Sequence, residues 1–335
     1  MPTGAPATEG ITMTAPNETA LSETELREAA LSETTAGLRF PEGPVAMDDG
    51  SVVLVEMFGP RITRVRPDGS KETVAEVAGG PNGAAIGPDG ALYLCNNGGS
   101  FTPVEVAGLL FPGPFDPDRY IGGRIQRVDL STGTVTDLYT ECNGRALRAP
   151  NDLVFDTHGG FWFTDHGIRD LGVRTSDLTG IYYALADGSA ITEVVFPAEA
   201  PNGVGLSPDG STLYWAETHT GRVFQRSVAA PGELVPVAPV DPSVVLCGLP
   251  GLQLLDSLAV DGAGNICVAT LVNGGITVIA PSGEVLQHIP TGDLLTTNIC
   301  FGGEGHGTAF ITASGTGKLL SMPWPHPGLQ LAHSA

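Results

Sequence analysis

Short apolar runs closed by a polar residue recur along this chain: Val52-Val53-Leu54-Val55 before Glu56, Leu92-Tyr93-Leu94-Cys95 before Asn96, and Phe161-Trp162-Phe163-Thr164 before Asp165. Leu213 to Ala216 before Glu217, Ile266 to Ala269 before Thr270, and Ala309 to Ile311 before Thr312 repeat the pattern. Runs this short, rich in β-branched and aromatic residues and bounded by Gly and Pro turns, predict buried strands rather than helices. Ahead of each run stands a polar anchor: Glu42, Asn82, Asn151, Asn202, Asp256 and Asn298. In the first five repeats a glycine follows the anchor by eight residues (Gly50, Gly90, Gly159, Gly210, Gly264), and in the sixth the turn glycine slips by one to Gly307.

Third strands follow at Arg61 to Arg66, Gly123 to Leu130, Gly180 to Ala186, Gly221 to Ser227, Gly275 to Ala280 and Gly317 to Met322. Six such units predict an all-β, six-bladed β-propeller of four-stranded antiparallel blades, with about 45 to 50 residues per blade. The sixth unit runs out soon after its third strand, at Pro323-Trp324-Pro325, so its outer strand is expected from the segment just before Leu38, closing the ring. Residues 1–20, rich in Pro, Thr, Ala and Gly, read as a disordered arm, and Ser22 with Glu25 has capping-box spacing for a short helix over 21–31. Residues 21–335 are expected to form a single domain.

In an up-and-down blade the start of strand one and the end of strand two share a face. The anchors and Glu56, Asn96, Asp165, Glu217, Thr270 and Thr312 therefore belong to one side of the disc. Two readings of the strand-two ends stand: they floor a cavity beside the anchors, or they satisfy loop backbone amides. The loop between strands two and three of the second blade opens on this side and is enlarged to about residues 97–122. Its Leu109, Leu110, Phe111, Phe115 and Tyr120 read as a lid.

Composition narrows the chemistry. With 46 Gly and 27 Pro the 335-residue chain has the turns an all-β ring needs, and its net charge of -21 argues against nucleic acid and anionic membranes as partners. Cys95, Cys142, Cys247, Cys267 and Cys300 are scattered without a CxxC pair and read as reduced core residues. Neither a signal peptide nor an apolar membrane span is visible, which predicts a cytoplasmic protein. Glu42, Asn151, Asn202 and Asp256 taken together offer two carboxylates and two amide carbonyls, all hard oxygen donors. That set suits one divalent cation, Ca²⁺ first, with Mg²⁺, Mn²⁺ or Zn²⁺ as alternatives. The competing reading, that such corners only make tight turns, weakens when six occur at blade spacing.

The stretches Phe40-Pro41-Glu42-Gly43-Pro44, Pro150-Asn151-Asp152-Leu153-Val154-Phe155-Asp156, Pro201-Asn202-Gly203, Asp256-Ser257 and Thr296-Thr297-Asn298-Ile299-Cys300-Phe301-Gly302-Gly303, in this order, resemble the SMP-30/gluconolactonase/LRE family of six-bladed propellers. The resemblance runs from Phe40 to Trp324. It implies one catalytic cation held by Glu42, Asn151, Asn202 and Asp256, and hydrolysis of a lactone ring with water attacking a polarised carbonyl. It also implies Asp256 as the base or water-orienting group, with Asp152 as a second candidate; a carboxylate already bound to a cation is a weak base, so Asp256 is also read as only positioning the water. His166, one residue past a strand-two end, is a third candidate as a proton relay near neutral pH, and His219 comes near the same face. No Gly-x-Ser-x-Gly appears, which weighs against an acyl-enzyme route.

The substrate contacts expected are Asn82, Asn298, Arg148, Glu217, Phe111, Phe115 and Tyr120. Arg148 stands three residues before Asn151, where regucalcin-like members place an Arg two before the equivalent Asn, and the apolar insertion covers the mouth with Leu and Phe. The spacing leaves open whether Arg148 reaches the pocket, and the insertion favours a less polar lactone or ester over a sugar lactone. Phosphotriester or aryl-ester hydrolysis on the same site, and a non-catalytic calcium-binding propeller, are the alternatives. His158, His326 and His333 are read as inert.

Overall fold

The computed structural model describes residues 31–333. Six antiparallel sheets follow one another along the chain, each built outward from an inner strand. Blade one is Pro41–Ala46, Val52–Glu56, Arg61–Val65 and Lys71–Glu76. Blade two is Pro81–Ile86, Leu92–Asn96, Arg124–Val128 and Val135–Tyr139. Blade three is Pro150–Phe155, Gly160–Asp165, Thr179–Leu185 and Ile191–Ala198. In blade four, Pro201–Leu206, Thr212–Glu217 and Arg222–Ala230 are followed by two short outer pieces, Glu233–Leu234 and Val245–Gly248, which share the edge of the third strand. Blade five is Leu254–Val260, Ile266–Leu271, Gly275–Ile279 and Val285–Pro290.

Blade six contributes Thr296–Gly302, Thr308–Ala313 and Lys318–Pro323, and takes its outer strand from Ser32–Thr35. That strand runs antiparallel to the third, with Ser32 opposite Ser321 and Glu33 opposite Leu320. Inner strands of successive blades touch all the way round, and Thr296–Gly302 closes onto Pro41–Ala46. The chain is a six-bladed propeller, closed as its hydrophobic pattern predicts. The arm expected over 1–20 and nearly all of the helix expected over 21–31 lie outside the described residues.

The core lies between blades, not within one. Tyr93, Phe155, Phe161 and Phe163 interdigitate between blades two and three, and Trp162, Tyr183, Leu213 and Trp215 between blades three and four. These are the apolar runs of the strand pattern, which bury because each sheet offers both faces to a neighbour.

Three features departed from the sequence reading. The segment 97–122 is not a plain loop, since Pro103–Val106 and Leu109–Pro112 pair within it as a hairpin. Blade three carries a second, unforeseen hairpin on the same face, Arg169–Asp170 with Thr175–Ser176. A segment after Trp324 folds back under the disc, where Gly262 N donates to Pro327 O (2.7 Å) and Gly328 N to His306 O (2.9 Å).

Candidate functional site

Every inner strand slips register against its partner at the anchor: between Glu42 and Val45, Pro81 and Ala84, Pro150 and Leu153, Pro201 and Val204, Leu255 and Leu258, and Thr296 and Asn298. A bulge turns a side chain out of the ladder's alternation, and six at one level gather the anchors where the inner strands meet. Glu42, Asn82, Asn151, Asn202, Asp256 and Asn298 are all buried, as is Asp152. Glycine makes the close approach possible. A Cβ on Gly43 would lie 2.4 Å from Asn82 O, one on Gly83 2.5 Å from Asp152 Oδ1, and one on Gly203 2.4 Å from Leu258 N. Gly83 and Gly203 are absent from the positive-φ glycines, so in Pro-Asn-Gly the glycine serves strand-to-strand contact, not a left-handed turn.

The amides of the ring divide into two kinds. Asn298 is satisfied: its Oδ1 accepts from Ile299 N (2.8 Å) and its Nδ2 donates to Glu42 Oε2 (3.4 Å). Asn202 donates through Nδ2 to Thr218 Oγ1 (3.0 Å), which leaves its Oδ1 buried and without a hydrogen-bond partner. Asn151 Oδ1 is likewise buried and without a partner. A buried carbonyl oxygen left so is costly in a protein interior. Two of them beside buried carboxylates fit a hard cation as their missing partner.

The carboxylates report the same crowding. Burial, then the charge of Asp256, then that of Asp152, hold the Glu42 carboxyl well above the usual range. Burial, opposed by the Asn202 amide and reinforced by Asp152, pushes Asp256 up to about 7. Burial also pushes Asp152 up to about 7, against the Leu153 N–H that its Oδ1 accepts at 2.9 Å. Among the described residues no three His, Cys, Asp or Glu side chains gather as a metal-binding group.

The strand-two ends clasp the loops that deliver the anchors. Glu56 accepts from Arg39 N (2.7 Å), Asn96 from Gly80 N (3.0 Å), Asp165 from Arg148 N and Ala149 N (both 2.7 Å), and Glu217 from Glu199 N (3.2 Å). Each sits across the ladder from the proline ahead of an anchor. These four make the loop-amide bonds of the second reading, with Glu217 engaging Glu199 N and Thr220 Oγ1, whereas Thr270 and Thr312 donate to Gly275 O (3.0 Å) and Asn298 O (3.4 Å).

Above the ring the 97–122 insertion reaches across the mouth. Leu110 N donates to Gly315 O of blade six (2.9 Å), two blades away, and Phe101, Leu110 and Phe111 pack on Phe40, Met57 and Leu295. On the other side Tyr120 OH donates to Arg148 O (2.5 Å), Phe115 lies against the Tyr120 ring (5.4 Å), and the Arg148 guanidinium lies over that ring while pairing with Asp177 (2.7 Å). His166 sits edge-on between Phe101 (5.9 Å) and His219 (5.7 Å). Burial, then the neighbouring His219, pulls its pKa down to about 4. The imidazole is thus neutral at physiological pH, where the sequence led us to expect a group titrating near 7.

Below the ring, a cavity of about 540 Å³ runs from Gly43, Asp152 and Asn298 to the segment Leu329–His333. It meets His158, His306 and His333, two of which sequence reasoning set aside as inert. The tail's return under the disc has no repeat signal to announce it.

The sequence profile of the SMP-30/Gluconolactonase/LRE-like region matches residues 40–315. Lactonase drp35 of Staphylococcus haemolyticus is 30% identical over 277 residues, covering 80% of this chain and 76% of that protein. The gluconolactonase of Zymomonas mobilis is 26% identical over 313 residues, 83% of this chain and 77% of that one. Among solved structures, a gluconolactonase of Xanthomonas campestris superposes with a TM-score of 0.69 at 24% identity, over 89% of this chain and 90% of that one. A calcium-binding regucalcin of Agrobacterium tumefaciens reaches the same TM-score of 0.69 at 17% identity, over 91% and 97%.

Proposed function

The chain belongs to the SMP-30/gluconolactonase/LRE-like family, and from that membership we propose that it is a divalent-cation-dependent hydrolase that opens lactone rings. The observation that carries the reading is the pair of unpartnered carbonyl oxygens, Asn151 Oδ1 and Asn202 Oδ1, at the level of Glu42 and Asp256. These four residues would hold the cation, with Ca²⁺ first among candidates, since hard oxygen donors of mixed charge suit it and a calcium-binding regucalcin shares the fold. Bound there, the cation supplies Lewis-acid polarisation of the lactone carbonyl and offsets the charge that grows on its oxygen.

The chain's own residues do the rest. Asn298 steadies Glu42, and Thr218 holds the Asn202 amide so that its oxygen stays unpaired. Asp152, whose carboxyl burial raises to about 7 when no cation is bound, takes a proton from the attacking water. As the ring C–O bond breaks, the same carboxyl returns the proton to the departing alkoxide, leaving a hydroxy acid. Asp256 orients the water. Neutral His166 contributes a hydrogen bond at the mouth, and Asn82 and Arg148 contact the substrate from the ring and its rim. The insertion, with Phe111, Phe115 and Tyr120, acts as a lid that selects apolar lactones. Five free cysteines fit action in the reducing cytoplasm.

The test is hydrolysis by chelator-treated protein of aliphatic γ- and δ-lactones, glucono-lactone, phenyl acetate and paraoxon, with Ca²⁺, Mg²⁺, Mn²⁺ or Zn²⁺ restored singly. Cation-restored turnover, greatest on aliphatic lactones, is the expected result. Turnover indifferent to chelation would remove the cation from the reading, and silence across the panel with a cation bound would favour a non-catalytic propeller.

A further inference from the structure

Below the anchor ring, and bounded at its top by Asp152 and Asn298, lies a chamber whose lower part the hydrolytic reading does not use. Its walls are half-buried aliphatic and aromatic side chains of the inner strands, Val45, Ala84, Val154, Ala259 and Phe301 among them. Its floor is the returning tail. Leu329 N donates to Val260 O (3.4 Å) on the side of blade five, Ala332 packs against the core between blades two and three, and the His333 ring meets Phe155 edge-on at 5.5 Å. Residues 327–333 therefore span the lower opening from one side of the ring to the other. The resulting volume, about 540 Å³, falls within the range of small-molecule sites.

Asp152 and Asn298 close the top of the chamber; the remaining polarity lies at the lower rim and is mostly spent there. Asp156, the carboxylate nearest the chamber's wall, accepts from His158 N (2.7 Å), Gly160 N (3.2 Å) and Tyr183 OH (2.8 Å). Asp209 accepts from Ser207 and Ser211. One group is unspent: His333 Nε2 is buried and has no hydrogen-bond partner. An apolar cavity with a single unsatisfied imidazole nitrogen at its floor is complementary to a chain molecule with one oxygen-bearing end.

We propose that the lower part of this chamber, beneath the anchor ring, is a second binding site for an aliphatic ligand whose hydroxyl or carboxylate oxygen bonds His333 Nε2 and whose chain lies against Ala84 and Val154. The tail is then part of the site. Nothing in it depends on lactone turnover.

Isothermal titration with 1-octanol and, separately, sodium octanoate tests it, on the full chain with and without Ca²⁺. Saturable one-to-one binding of at least one probe is expected, and which of the two binds tells a neutral head from an ionised one. Ala84→Phe, which fills the wall, and His333→Ala, which removes the head contact, should each weaken it about tenfold, the factor that ~1.4 kcal/mol of lost contact gives. Both variants are checked for the wild-type circular dichroism spectrum, and His333→Ala, a tail substitution, keeps the test alive if Ala84→Phe fails to fold. No binding of either probe to the wild type, or binding unchanged in both variants, overturns the proposal. Lactone hydrolysis measured on the same samples reports independently on the upper site.

Discussion

Asp256 answers to two demands that conflict. Held in a buried ring beside Glu42 and Asp152, its carboxyl rises to about 7, so without a cation its ionised form strains the fold. Asp256→Asn removes that charge while keeping the shape. Lactone turnover should fall at least about a hundredfold, the scale on which single electrostatic groups act, while the chelated variant melts above chelated wild type at pH 8. A lower melting temperature for the variant would show that the ionised carboxylate is not strained there. Residue-scale logic also governs the glycines of Pro-Asn-Gly. Gly83→Ala must push a Cβ into Asp152 Oδ1 at 2.5 Å and Asn151 O at 2.6 Å, so a loss of about 1–3 kcal/mol is expected from denaturant melts. The turn reading of these corners was the weaker one in the sequence, which offered no strand contact in its place: the same Asn-Gly pair marks a left-handed turn or a tight strand contact, and only the next blade's position tells them apart.

Among the elements, the clasp and the insertion make different promises. Asp165 holds three loop amides, those of Arg148, Ala149 and Gly167, and Asp165→Ala strands all three. Loss of at least about 2 kcal/mol is expected, with hydrogen exchange speeding first in residues 147–150. Uniform exchange across all blades would instead mark a global effect. Deleting residues 101–119 leaves Glu42, Asn151, Asn202 and Asp256 in place, so cation affinity by titration should hold while the preference between aliphatic and sugar lactones shifts. An unchanged preference would remove the insertion from selectivity. Strand positions were legible from the apolar runs to within a residue or so, because a blade buried on both faces leaves a strong local pattern. The hairpins inside 97–122 and at 169–176 were not, since short exposed strands carry no buried run, and the tail from 327 was not, since it pairs with residues far from it in sequence.

At the scale of the whole molecule, the ring's carboxylates set a pH dependence opposite to the usual acid-sensitive one. A folded-state pKa raised above the unfolded value stabilises fully at pH below the unfolded value, near 4. That contribution is lost as pH climbs through about 7, the folded value for Asp152 and Asp256. Chelated protein should therefore lose melting temperature, relative to its Asp152→Asn variant, between about pH 4 and 7 and level off above. Saturating Ca²⁺ should flatten the difference by holding the charged form. A gap between the two that widens toward acid would reverse the assignment.

The strand Ser32–Thr35 pairs with Lys318–Pro323, so the last blade is completed by a segment that precedes the first blade in the chain. Until residue 323 emerges, five finished blades stand as an open arc, and the edge of the sixth has no partner. Topology thus fixes a timetable: ring closure waits until the third strand of the sixth blade has been made. A polypeptide stalled before Lys318 would carry an unclosed arc with a free sheet edge, ready to pair with the next stalled chain.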